Sequence, residues 1–224
     1  MVRAILSGKK TQTRRAVKPM SWKFAPRPEF NIMMDTGRHV WLARRDGSPS
    51  DFKWLSCPYG QAGDRLWVRE TWMPDPPIND EWCSTVFHGT RNGSLSLIPE
   101  CYRKPWHTLF RASWAGHELV GWRPSIHMPR WASRITLEIT EVRVDRLQAI
   151  SNDDAGAEGV DRTAAWLRDE PVSNLTDWRL VGKPRGAPGV PVERFARLWE
   201  SINGAGSWAA NPWVWVVEFR RLET

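Results

Sequence analysis

The chain of 224 residues is long enough for one domain with elaborations or at most two small ones, and its 41% apolar and 25% charged residues exclude a disordered or fibrous chain. Thirty-two Lys and Arg against 25 Asp and Glu leave a net charge of +7, which favours polyanionic or phosphate-bearing partners. No apolar run approaches the ~20 residues of a membrane-spanning helix, so no membrane partner is expected.

The elements follow in chain order. Arg3 to Gly8 reads as a short helical turn stopped by glycine, and Lys9 to Arg15 as a strongly basic polar segment. Its start, MVRAILSGKKTQTRR, has too short an apolar run for a secretory signal. Residues 19–62 are rich in proline and isolated tryptophans and predict loops with one strand over Arg38–Arg44. Gly63-Asp64 marks a turn, and Arg65–Trp72 follows as an alternating strand. From Met73 to Arg130 regularity is weak, with short strands expected near Ser84–His88 and Thr108–Ala112.

Arg134–Asp145 predicts a strand in which Ile135, Leu137 and Ile139 share one face before Val142 and Val144 take over, the signature of a bulge. Ser151 with Asp154 three residues on predicts a capped helix over Asp153–Glu158, stopped at Gly159. Residues 169–191 read as loop. Val192, Phe195, Ala196, Trp199 and Ile202 mark one face of an amphipathic helix that ends at Gly204. Trp213–Leu222 closes the pattern as an alternating strand. Strands toward both ends with few short helices predict an α+β chain built on a small mixed β-barrel.

Several chemistries lack their residues. Gly8-Lys9-Lys10-Thr11 has no glycine at the spacing a phosphate loop needs, and no GxSxG elbow occurs. The five histidines show no HxxxH or HExxH spacing, and Cys57, Cys83 and Cys101 form no CxxC. Neither a metal nor a cofactor is therefore expected, and unpaired thiols point to a reducing cytoplasm. Sixteen tryptophans suit base stacking and core filling alike. One segment stands out: Gly8–Arg15 holds four cations and two hydroxyls in eight residues. A desolvated Lys10 beside Thr13 would be a base able to activate that hydroxyl, and a solvated basic loop is the alternative.

Ile5-Leu6-Ser7-Gly8-Lys9-Lys10-Thr11-Gln12-Thr13-Arg14 resembles the signature near the start of ASCH domains, a helix followed by G-[KR]-K-T-x-[TE]-x-R. Ala62–Val68 resembles the family's P-G-D turn and strand with alanine for proline, Ile135–Thr140 and Leu147–Glu158 its next strand and helix, and Trp213–Phe219 its closing strand. The matches keep the family's order over roughly half the chain. The segment 124–131 also resembles longer ASCH-like proteins of phages and prophages. The resemblance implies a single PUA-like barrel domain over 1–224, with insertions at about 16–60, 73–130 and 161–190.

It implies an activity as well: amidohydrolysis of N4-acetylcytidine and related N4-acylcytidines, through Lys10, Thr13 and Glu158. In that scheme Thr13 attacks the acyl carbonyl, neutral Lys10 takes its proton, and Glu158 orients the lysine or a water or protonates the departing cytosine. Arg14 is a further substrate-binding residue, with Trp22, Trp67 and Trp72 as stacking walls and Glu70 as reader of the cytosine edge. The expected partner is a modified nucleoside or nucleotide, with RNA as a further one. A non-catalytic RNA or modified-base binding module is the alternative, since basic charge on a barrel serves it equally.

Overall fold

The computed structural model describes residues 1–17, 32–34, 40–44, 52–75, 95–116, 121–160 and 190–223. In chain order the elements are α1 (Val2–Leu6), β1 (Gln12–Ala16), β2 (Ile32–Met34), β3 (Val40–Arg44), β4 (Phe52–Ser56), β5 (Arg65–Trp67), β6 (Trp72–Pro74) and β7 (Thr108–Phe110). Then come β8 (Thr136–Arg146), α2 (Asn152–Ala157), α3 (Val190–Asn203) and β9 (Trp213–Leu222), with short 3₁₀ turns between. The main sheet runs β1-β9-β8-β5, all antiparallel, and curls into a half-barrel. Separate antiparallel sheets are formed by β2-β3-β4 and by β6-β7. Antiparallel sheets with few helices make the arrangement α+β.

Four consecutive residues of β9, Val214 to Val217, are buried, because this central strand is covered on both faces. On one face Val214 and Val216 meet Leu147, Ile150, Ala155 of α2, and Val192, Phe195 and Trp199 of α3. On the other, Trp215 and Val217 meet Ile139 and Val142, with Cys57 and Tyr59 packed against them. Residues 139 and 142 differ in parity and still share a face, because the β8–β9 register shifts between Ile139 and Glu141. This is the bulge that the valine phase change predicts. Near the start of the chain, Ile5 of α1 packs on Ile135, Leu137 and Phe219.

The expected strand over Arg65–Trp72 is two strands instead. The chain leaves β8 after Val68 N–H bonds Ile135 O at 3.0 Å, and resumes as β6 paired with β7. The near-continuous apolar pattern hides the break, since burial resumes on a different partner. Among the described residues the 19–62 region holds three strands rather than the expected one; β2 has three residues and β4 lies between Pro49 and Pro58, too short to show a period among prolines. β7 stops at Phe110, two residues short of expectation, where the turn 111–113 begins. The strand expected at Ser84–His88 and most of the third expected insertion lie outside the described residues.

Ile139 anchors the bulge and is 1% exposed, whereas Ile126 is 70% exposed. Ile139→Ala is expected to cost about 2–5 kcal/mol in urea unfolding, and Ile126→Ala to stay within about 0.5 kcal/mol.

Candidate active site

Gly8, at φ +70°, ends α1 and turns the chain back along it. The Lys10 N–H then bonds Ala4 O at 3.0 Å, and the Thr11 N–H bonds Ala157 O at 2.9 Å. Lys10 and Glu158 form an isolated antiparallel bridge. Glu158 is the C-terminal cap of α2, whose other end is fixed by a capping box: the Asp154 N–H bonds Ser151 Oγ at 3.0 Å, and the Ser151 N–H bonds Asp154 Oδ2 at 3.3 Å. Asp154 and Glu158, four apart, thereby face β1 together. Gly159 follows at φ +83°, and a Cβ there would lie 3.0 Å from the Cβ atoms of both Ala4 and Lys10. Only glycine lets the helix end approach the lysine this closely.

The Lys10 Nζ donates to Glu158 Oε2 at 2.6 Å and to the Glu158 backbone oxygen at 2.9 Å. Both residues are buried, Lys10 to 4% exposure and Glu158 to 7%. The buried Arg14 guanidinium lies 3.2 Å from Asp154 Oδ2 and 3.8 Å from Glu158 Oε1. Arg143 holds the other Asp154 oxygen at 3.1 Å and also pairs with Asp145 and Glu218. Two polar atoms in this buried group, Glu158 Oε1 and Arg14 Nε, have no hydrogen-bond partner among the described residues. An ammonium has three protons, and among the described residues Lys10 commits two of them.

Burial governs the charges. It lowers the Lys10 pKa below the usual amine range, with Arg15 and Arg14 adding repulsion, although Glu158 opposes the shift. It raises Glu158 above the usual carboxylate range against the pull of Lys10 and Arg14. For Asp154 the balance reverses: burial pushes up, but Arg14, the Ser151 bonds and Arg143 together hold its carboxyl below the usual range.

The pair opens on a cleft of about 150 Å³ along the β1 edge of the main sheet. Lys10, Arg14 and Glu158 form its polar wall, and Phe195, Leu198, Trp199 and Ile202 of α3 its apolar one. Thr13 borders the same cleft. Its setting differs from the expectation of a Lys10–Thr13 couple. Gln12 and Arg14 are buried toward α2, and strand alternation turns Thr13 to the other sheet face, beside Val217. Among the described residues no hydrogen bond joins Lys10 to Thr13, and the ammonium serves Glu158 instead.

The remaining expected site residues lie elsewhere. Both Glu70 oxygens accept from Arg134 at 2.9 Å, so this buried carboxylate is a structural partner and not a reader of a base edge. Trp72 is fully buried edge-on to Trp131, a core ring with no face for a ligand. Trp67 is outside the cleft lining, under Arg69 and Arg130. Trp22 falls outside the described residues. Sequence reading takes Phe195 and Trp199 as core and Asp154 as a cap only. The signal for Asp154 is its spacing of four from Glu158, which aims both acids at one arginine. Among the described residues no group of three His, Cys, Asp or Glu side chains is placed to hold a metal ion.

No family model, curated protein or solved structure matches the chain.

Gly159→Ala combines a left-handed backbone with two 3.0 Å contacts and is expected to cost about 1–3 kcal/mol, read by thermal melting. Glu158→Leu strands a buried ammonium and is expected to cost about 3–5 kcal/mol, while Lys10→Met/Glu158→Leu recovers most of it. Equal losses in the single and double variants would contradict a coupled pair.

Proposed function

We propose that the cleft hydrolyses the exocyclic amide of N4-acetylcytidine and related N4-acylcytidines to cytidine and a carboxylic acid. The observation that carries this reading is the buried Lys10–Glu158 pair, 2.6 Å apart, with one carboxylate oxygen that has no hydrogen-bond partner among the described residues, at the head of a half-apolar cleft. The ASCH resemblance of residues 5–14, 62–68, 135–158 and 213–219 supports it, and we take the half-barrel as PUA-like on the same ground. The free thiols Cys57 and Cys101 are in keeping with action in a reducing cytoplasm.

The geometry favours roles opposite to a neutral-lysine scheme. Glu158 Oε1 takes a proton from water as it attacks the acyl carbon. The third Lys10 proton goes to the departing N4 atom as the C–N bond breaks. The raised Glu158 pKa makes a better base, and the lowered Lys10 pKa a better acid. One proton then returns from Glu158 to neutral Lys10, restoring the ion pair. Arg14 faces the charge that develops on the acyl oxygen, and the apolar α3 wall receives the pyrimidine. Thr13, turned to the other sheet face, is not the nucleophile in this scheme.

Lys10→Ala and Glu158→Gln are expected to lose about 10²–10⁴ of kcat/KM for N4-acetylcytidine, followed by the ultraviolet change on deacylation. Folded variants with full turnover would end the assignment. Thr13→Ala is expected to keep most activity; a loss equal to that of Lys10→Ala would move the attack to its hydroxyl. Activity should rise with pH as Glu158 loses its proton and fall as Lys10 does. The acid limb therefore lies above the ordinary carboxylate range and the alkaline limb below the ordinary amine range.

A further inference from the structure

The far edge of the main sheet has a different chemistry. β5 pairs Arg65 with Glu138 and Trp67 with Thr136, so Arg65 and Trp67 share one sheet face two residues apart. The Arg69 guanidinium lies 4.7 Å from the Trp67 ring centroid, and that of Arg130 5.8 Å. Arg69 is steadied by donating to Ile126 O at 3.3 Å. Arg65, Arg69 and Arg130 are exposed, and none is ion-paired to a carboxylate among the described residues. The acid opposite Arg65 in the register, Glu138, is held by Arg220 at 2.9 Å. The result is three exposed guanidiniums with no carboxylate within ion-pair distance among the described residues, two of them lying on one half-buried indole.

Surface arginines ordinarily scatter among acids, and an unneutralised cluster repels itself. Here two of the three lie on an aromatic ring, which accepts positive charge on its π face and presents guanidinium planes at a set spacing. Phosphodiester groups supply the missing anions. Exposed bases stack on tryptophan or on guanidinium planes, whereas a duplex hides its base faces. We propose that Arg65, Trp67, Arg69 and Arg130 form a docking surface for a single-stranded polynucleotide. The surface shares no residue with the cleft and stands whether or not the cleft hydrolyses amides.

The test is anisotropy of a labelled single-stranded oligouridylate and a single-stranded oligothymidylate with the full chain, over a range of salt. Arg65→Ala/Arg69→Ala/Arg130→Ala is expected to flatten the salt slope by about 0.7 for each phosphate no longer neutralised. Trp67→Ala is expected to weaken binding by about 5- to 150-fold, the range for removing the platform under one stacked base. Arg103→Ala/Lys104→Ala/Arg111→Ala removes the same charge elsewhere and should leave both readouts near the parent's, with melting curves confirming that each variant is folded. Binding of either single strand that depends on the four residues supports the surface. Unchanged affinity and slope in the first variant, equal effects from the second triple, or equal binding of duplex or polyglutamate would overturn it.

Discussion

The Lys10–Glu158 ion pair is the constraint to which the surrounding structure is fitted. Removing two charges from water costs several kcal/mol for each, and their attraction repays it only in close, fixed geometry. The backbone supplies that geometry. Lys10 is tied to Ala4 and Thr11 to Ala157, so lysine and glutamate are brought together by main-chain bonds on both sides. The capping box at Ser151 sets the phase of α2, and Gly159 lets its end lie against the lysine stem. Arg14, Asp154 and Arg143 then form a second tier in which each charge has an opposite neighbour.

That tier explains why the pair is asymmetric toward the cleft. Asp154 draws the Arg14 guanidinium to 3.2 Å and leaves it 3.8 Å from Glu158, too far for a hydrogen bond. Glu158 Oε1 thus has no hydrogen-bond partner among the described residues, while Arg14 still contributes its field. A closer Arg14 would satisfy the carboxylate fully and depress its basicity. Asp154, held ionised by its own partners, acts as the counterweight.

Much of the scaffold is legible in local pattern. The valine phase change marks the bulge in β8, Ser151 and Asp154 the cap of α2, and the Val192–Ile202 face the helix α3. Lys10, Thr13 and Glu158 are all expected at the site, and all three line one cleft. Their pairing is not legible. A lysine and a threonine three apart look adjacent if the segment is helical, but an extended strand sends them to opposite faces, and nothing local decides between these. Whether a carboxylate at position 158 reaches position 10 depends on two loop closures and a sheet. Trp72 and Glu70 mislead for a related reason: burial and the Arg134 partner come from distant segments, and composition alone cannot separate a core ring from a binding ring.

The order in which strands join the main sheet has a temporal consequence. Among the described residues β1 finds its sheet neighbour in β9, about two hundred residues later, whereas β8 also has the earlier β5 beside it. Loop closure of this span makes the assembly slow relative to local hairpins. During synthesis the emerging chain therefore carries its basic first strand unpaired until β9 has left the ribosome. The polar wall of the cleft, resting on that strand, matures as one of the final events of folding, and a chain stalled before β9 exposes an open edge where the finished molecule has a cleft.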